Sequence, residues 1–229
     1  MNINIFEEIR LLATSYNLDY IFKGLLLTFE LAFGILLVSF FLGVCLALLK
    51  TYGGKIPEKI ITVYVEIFRN TPILLWIFIC FIFMPFNSKL LRASSGLCLV
   101  SAAAICEMVR GGLNAIPKGQ LEAGRSQGLN LIQIIVIIIF PQAFRRIIPN
   151  LINQMISVFK DTSFLGQVSI AEFLYCTKKI MATANVSTGH AVMPMDVFIM
   201  FGFAALIYLV INSILSAIAR TAQKKLIAH

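Results

Sequence analysis

Two Glu-x-x-Arg quartets, Glu66 with Arg69 and Glu107 with Arg110, stand inside apolar stretches of the chain. The spacing puts opposite charges one turn apart on one helical face, where they can pair within or between helices. An unpaired charge near the centre of a membrane costs roughly 3 kcal/mol or more, so such residues face the protein interior. Their first expected role is an ion pair holding helices together near their cytoplasmic ends, and their second is contact with a ligand. A further pair, Lys160-Asp161, follows an apolar stretch and leads into Thr162-Ser163, in a region rich in hydroxyl and glycine. Either Asp161 caps the Thr162-Ser163-Phe164 segment while Lys160 snorkels, or both charges face a ligand; the residues alone leave the two level. A polar heptapeptide, Glu122-Ala123-Gly124-Arg125-Ser126-Gln127-Gly128, offers recognition instead of charge pairing. A short helix between Gly119 and Gly128, with Glu122 and Arg125 at i and i+3, can be gripped by a soluble partner, and Ala123 and Gly124 let another backbone come close. Gly128 is expected to end it with a positive φ, which costs a residue with a β-carbon roughly 1 kcal/mol or more.

Bond-making chemistry has no comparable footing. The chain carries no GxSxG elbow, no HExxH and no plausible Cys-His catalytic pair, so an enzyme is not expected. The nearest approach to a phosphate-binding loop, Gly53-Gly54-Lys55, is followed by Ile56 and has the wrong glycine spacing. Any ATP that drives the protein is therefore bound by another subunit. Cys45, Cys80, Cys98, Cys106 and Cys176 form no CxxC, and His190 and His229 lie too far from them to share a ligand set. Neither a disulfide framework nor a metal site is expected.

The elements that position these residues are membrane spans. Of the 229 residues, 59% are hydrophobic and only 13% charged, and the mean hydropathy is +0.89, far from an ordinary soluble domain. The net charge of +8 lies between apolar runs and not in an aromatic-interleaved stripe, which points to membrane surface and away from nucleic acid. The opening Met1-Asn2-Ile3-Asn4-Ile5-Phe6-Glu7-Glu8 lacks the basic, apolar and small-residue regions of a cleaved signal, so the first span is expected to serve as its own insertion signal. Five spans are expected, about 23–49, 60–85, 94–110, 142–159 and 197–218, each near the roughly 20 residues a bilayer requires. Leu131 to Phe140 is expected to be a short helix stopping at Pro141, and Ala171 to Tyr175 a short amphipathic one. Lys50, Lys55 and Lys59 after the first span, and Arg220, Lys224 and Lys225 after the last, put the N-terminus outside, the C-terminus in the cytoplasm and the 117–130 loop on the cytoplasmic side.

Taken in order, the motifs resemble those of ABC importer membrane subunits. Glu122-Ala123-Gly124, then Gly128 and Ile138-Ile139-Phe140-Pro141, is similar to the family's EAA motif, with Gly124 for the second Ala and Phe140 for the Leu. Glu66-Ile67-Phe68-Arg69-Asn70-Thr71-Pro72 is similar to Glu-x-Phe-Arg-Gly-Thr-Pro, with Asn70 at the glycine. Thr28-Phe29-Glu30-Leu31, Glu107-Met108-Val109-Arg110-Gly111-Gly112, Ile116-Pro117-Lys118-Gly119-Gln120, Pro141-Gln142-Ala143 and Lys160-Asp161-Thr162-Ser163 follow family patterns at the right intervals. On these the chain is identified as a member of the polar amino-acid branch. The resemblance implies an all-α, type I importer-like permease of the bacterial inner membrane, with Glu122, Ala123, Gly124 and Gly128 docking on a separate ATPase. It places Lys160, Asp161, Thr162 and Ser163 on the translocation path, where a zwitterionic amino acid needs a cation for its carboxylate and an acid or carbonyl for its amine. It further implies a second permease subunit, identical or similar, an external amino-acid-binding protein, and ATP with Mg held by the ATPase. The rival readings are an ion-coupled secondary transporter, which calls for an inverted repeat the sequence does not show, and a noncatalytic scaffold, which gives no reason for charges inside the spans.

Overall fold

A computed structural model describes residues 14–188 and 194–227, and these are helical almost throughout. Met1 to Glu8, His190 and His229 lie outside the described residues. The first helix, α1 (Ser15–Tyr52), is capped by Thr14, whose hydroxyl accepts the Asn17 N–H at 3.2 Å. It ends at Gly53-Gly54, where Gly54 has φ +89, a conformation open to glycine at little cost. One seam of α1, from Ile21 and Gly24 through Thr28, Leu31, Ile35, Ser39 and Gly43 to Ala47, is buried.

The expected second span is broken. α2 (Lys55–Asn70) and α3 (Ile73–Phe83) meet at 110° instead of forming one rod over 60–85. Pro72 denies α-helical geometry to the residue before it, and Thr71 is accordingly extended at φ −118, ψ 151. The bend is braced: the Trp76 indole N–H donates to the Thr71 hydroxyl at 2.6 Å, and the Trp76 ring stacks on Phe68 at 4.0 Å.

α4 (Lys89–Asn114) runs through the centre and packs against α1, α2 and α3. Its buried residues are mostly small, which in a bilayer lets helix backbones approach closely. Gly96 lies against the Trp76-Ile77 backbone and Gly112 against Ile147. The Ser39 hydroxyl of α1 lies 2.6 Å from the Ile35 carbonyl and 3.1 Å from that of Cys98, and the Tyr64 hydroxyl of α2 donates to the Leu99 carbonyl at 2.7 Å.

After the short α5 (Lys118–Ser126) comes a single turn, α6 (Leu131–Gln133), closed by a reciprocal Asn130-Gln133 capping box. It continues through a π-helical stretch, Ile134–Ile139, into α7 (Phe140–Asp161) and a 3-10 segment, Thr162–Val168. The expected stop at Pro141 is therefore absent, and 131–168 is one continuous candidate span in place of a short helix and a separate one over 142–159. Proline breaks an α-helix by lacking an N–H and by colliding with the carbonyl four residues back. Here the preceding turns are wide, with Phe140 N–H bonded to the Ile135 carbonyl, and they accommodate both defects.

The expected short helix near Ala171 is the start of the 16-residue α8 (Phe173–Thr188), and α9 (Pro194–Ile227) completes the fold. The expected spans 23–49, 94–110 and 197–218 lie within α1, α4 and α9. Among the described residues, four helices are long and apolar enough to cross a membrane, and up to five spans result when α2 and α3 are taken as one broken crossing.

Candidate functional site

The first candidate surface is α5. Glu122, Ala123, Arg125 and Gly128 are exposed, whereas Gly124 is buried. A β-carbon at Gly124 would lie 2.7 Å from Ile134, so its small size serves packing inside the protein; the expectation that it faces a partner is corrected. Gly128 has φ +78, the positive φ expected of the residue that ends this helix. Its N–H bonds to the Arg125 carbonyl at 2.9 Å and that of Leu129 to the Gly124 carbonyl at 3.1 Å, which satisfies carbonyls left free at the helix end. The Arg146 guanidinium donates to the Ala115 carbonyl at 2.7 Å, and Gln142 reaches Gln120, so α7 frames both ends of the approach to α5.

The second candidate is a polar cleft of about 470 Å³ between α2 and the C-terminal half of α4. Glu107 accepts from the Lys50 ammonium at 2.7 Å and from Arg110 through two nitrogens, Nη2 at 2.7 Å and Nε at 3.1 Å. Only 17% of the Glu107 side chain and 11% of the Lys50 side chain are exposed. The Glu107-Arg110 spacing yields the expected pair, and Lys50 joins it from 57 residues away. Opposite stand Glu58, Thr62, Glu66, Arg69 and Asn70, a polar stripe at helical spacing on α2. The expected Glu66-Arg69 ion pair does not form; both side chains are exposed on the cleft wall. Lys50 was legible only as a basic residue marking the cytoplasmic side, because nothing local announces its partner.

Lys160, Asp161, Thr162 and Ser163 do not line this cleft. Asp161 ends α7 at φ −69, ψ −20 and makes no side-chain cap to the 3-10 segment, so the capping alternative is not realised. Thr162 is fully buried and donates to the Phe159 carbonyl at 2.7 Å, which removes it from any open path. Lys160 is exposed, and Asp161 and Ser163 are half-buried.

Sequence reasoning missed Glu172. It is fully buried, and its carboxylate accepts the Leu174 N–H at 2.9 Å and the Tyr175 N–H at 2.6 Å. Burial pushes its pKa up to about 7, against the two backbone N–H groups and Lys178, which favour the charged form. The signal available was an acid immediately before an apolar helix, the place of an N-terminal cap.

These features fall within a known family. The profile described as "Binding-protein-dependent transport system inner membrane component" matches residues 18–227. The probable glutamine ABC transporter permease protein GlnP of Bacillus subtilis is 35% identical over 208 residues, covering 89% of this chain and 92% of that one. The arginine ABC transporter permease protein ArtM of Haemophilus influenzae is 29% identical, covering 92% of this chain and 94% of its own length. A crystal structure of an amino acid ABC transporter with histidines superposes with a TM-score of 0.79 at 23% identity, over 98% of this chain and 100% of that one. The MetNI methionine ABC transporter, in an inward-facing form, gives 0.75 at 17% identity, over 93% and 99%. With its bent α2–α3 pair, long central helix and exposed α5, the chain belongs to the inner membrane components of binding-protein-dependent transport systems, as a multi-pass permease subunit.

Proposed function

We propose that this permease serves an ATP-driven importer of polar amino acids, in which two such subunits, identical or similar, enclose one pathway. Membership of the family removes the footing for an ion-coupled transporter or a passive scaffold. Two ABC ATPases, which hold ATP and Mg, dock on α5 from the cytoplasm, and an external binding protein delivers the amino acid. The N-terminus is outside and the C-terminus cytoplasmic, following the Lys and Arg clusters. The observation that carries the coupling reading is the nine-residue α5, whose polar face is exposed while Gly124 seats it on Ile134. A helix clamped from beneath transmits a push to its neighbours instead of yielding to it. The cleft between Lys50, Glu107, Arg110 and the α2 stripe forms a water-accessible wall, and Lys160, Asp161 and Ser163 contribute to the path elsewhere. The amino-acid class follows the relatives named for glutamine, arginine and cystine.

The test is purification of the tagged permease, with its ATPase co-expressed, in a gentle detergent, beside an Ala123→Arg variant. Recovery of the ATPase with the native chain only, followed by ATP-dependent uptake of radiolabelled glutamine, arginine or cystine in vesicles carrying the binding protein, is the expected result. Equal recovery with both chains would remove α5 from the coupling interface.

A further inference from the structure

The region after α7 contains a buried polar node for which transport as described has no use. At its centre is the Glu172 carboxylate. The first three N–H groups of α8, which a helix cannot satisfy internally, all find buried side-chain partners: Phe173 bonds to the Thr28 hydroxyl at 3.0 Å, and Leu174 and Tyr175 bond to Glu172. Thr28 donates in turn to the Gly24 carbonyl at 3.0 Å, so α8 is closed against α1. On its other side the same carboxylate meets the 3-10 segment. A β-carbon at Gly166 would stand 2.8 Å from Glu172 Oε1 and 3.3 Å from the Tyr175 β-carbon. The intervening turn is tight: Ser169 has φ 59, its N–H bonds to the Gly166 carbonyl at 3.1 Å, and Ile170 N–H bonds to the Leu165 carbonyl at 3.3 Å. Tyr208 of α9 closes the node, with its ring 5.3 Å from Phe173 and 5.9 Å from Phe159.

Asp161 and Ser163 lie within five residues of Gly166, on the short rigid segment that the carboxylate supports. We propose that Glu172 is a positioning residue for translocation: it caps α8, braces Gly166, and so fixes where Asp161 and Ser163 stand. This rests on the reading of Asp161 and Ser163 as pathway residues. The one-carbon difference between Glu and Asp separates the two duties. An Asp at this position still caps a helix, because Asp is a favoured capping residue, but its carboxylate withdraws from Gly166. Gly166→Ala is then harmful beside Glu172 and largely tolerated beside Asp, leaving only the tight approach to Tyr175.

The experiment is a double-mutant cycle of Gly166→Ala and Glu172→Asp in the permease reconstituted with its ATPase and binding protein. It reads radiolabelled L-glutamine uptake, or L-arginine uptake where that is the transported species, together with amide hydrogen exchange over 161–168. Gly166→Ala alone is expected to raise KM about fivefold with kcat nearly unchanged and to speed exchange, and the double variant to recover most of both. A structural defect without positioning would lower the yield or kcat and leave KM alone. Additive effects in the cycle, or an unchanged exchange rate in Gly166→Ala, would overturn the bracing. Asp161→Asn keeps the two ideas apart. If it leaves KM unchanged, the pathway reading fails; if it raises KM while Gly166→Ala does not, only the positioning inference fails.

Discussion

A charge inside a membrane protein is informative through what it touches. Glu107 has two cationic partners, and Glu107→Gln strands both Lys50 and Arg110 in a half-buried setting. Removing one member of a fully buried pair costs 3–5 kcal/mol, and partial exposure brings the expected loss here to roughly 2 kcal/mol, read as a lower midpoint of thermal aggregation in detergent. Lys50→Gln is expected to cost less, because the Arg110 contact remains. Glu172 gives a pH dependence of definite sign. Its pKa, raised by burial from the ordinary 4.5 to about 7, means the fold favours the protonated acid. The stabilising contribution is complete below about pH 4.5 and is lost as pH rises through about 7, with an upper limit of roughly 3 kcal/mol. The thermal midpoint of the purified permease is therefore expected to fall between pH 5 and 8, and Glu172→Gln to flatten that slope. A midpoint that rises with pH would show that the carboxylate is stabilised as an anion. At this scale the sequence was half legible. Glu107-Arg110 and Glu66-Arg69 share one spacing, yet only the first pairs, because Lys50 and the α4 interior enclose it while the α2 stripe looks onto open space. Spacing within a helix shows which residues can meet, and tertiary surroundings decide which do.

Among the elements, α4 sets the tolerances. Gly96 meets backbone on the far side, with a would-be β-carbon 2.6 Å from the Trp76 carbonyl and 2.7 Å from the Ile77 α-carbon. Gly96→Ala is expected to force the α2-α3 bend away from α4 at a cost of roughly 2 kcal/mol, seen as a lower thermal midpoint and reduced yield. Gly202→Ala on α9, where nothing lies within 4 Å, is the matched control and is expected to be neutral or slightly stabilising. Existence and type of the helices were legible in hydropathy and helical spacing, and so was a polar interruption at Glu66 to Pro72. Its 110° angle was not, since that depends on Trp76 folding back onto Thr71 and Phe68. Pro141 misled for a related reason. The rule that proline stops a helix assumes α-geometry upstream, and Ile134–Ile139 does not have it.

For the whole molecule, an all-helical multi-pass chain and its family could be read from composition and ordered motifs, but the helix neighbours could not. Small residues mark a close approach without naming what approaches, as Gly24 against Cys176 and Gly43 against Ile105 show. α1 raises a different matter. At 1.5 Å per residue its 38 residues extend about 57 Å, nearly twice the roughly 30 Å thickness of a hydrocarbon layer. Exposed apolar side chains run along it from Phe22 to Leu49, a stretch of about 40 Å, so an upright helix would leave part of that surface in water. A lean brings more of it within the layer. A strut that leans would report membrane thickness, flatter in thin bilayers and more upright in thick ones, and through Lys50 and Glu107 its foot is fastened to the helix that leads into α5. Turnover in vesicles of increasing acyl-chain length is accordingly expected to pass through an optimum, and Lys50→Gln, by unfastening the foot, to broaden it. The lipid surroundings thereby become a tuning variable of the importer, set by the length of one helix.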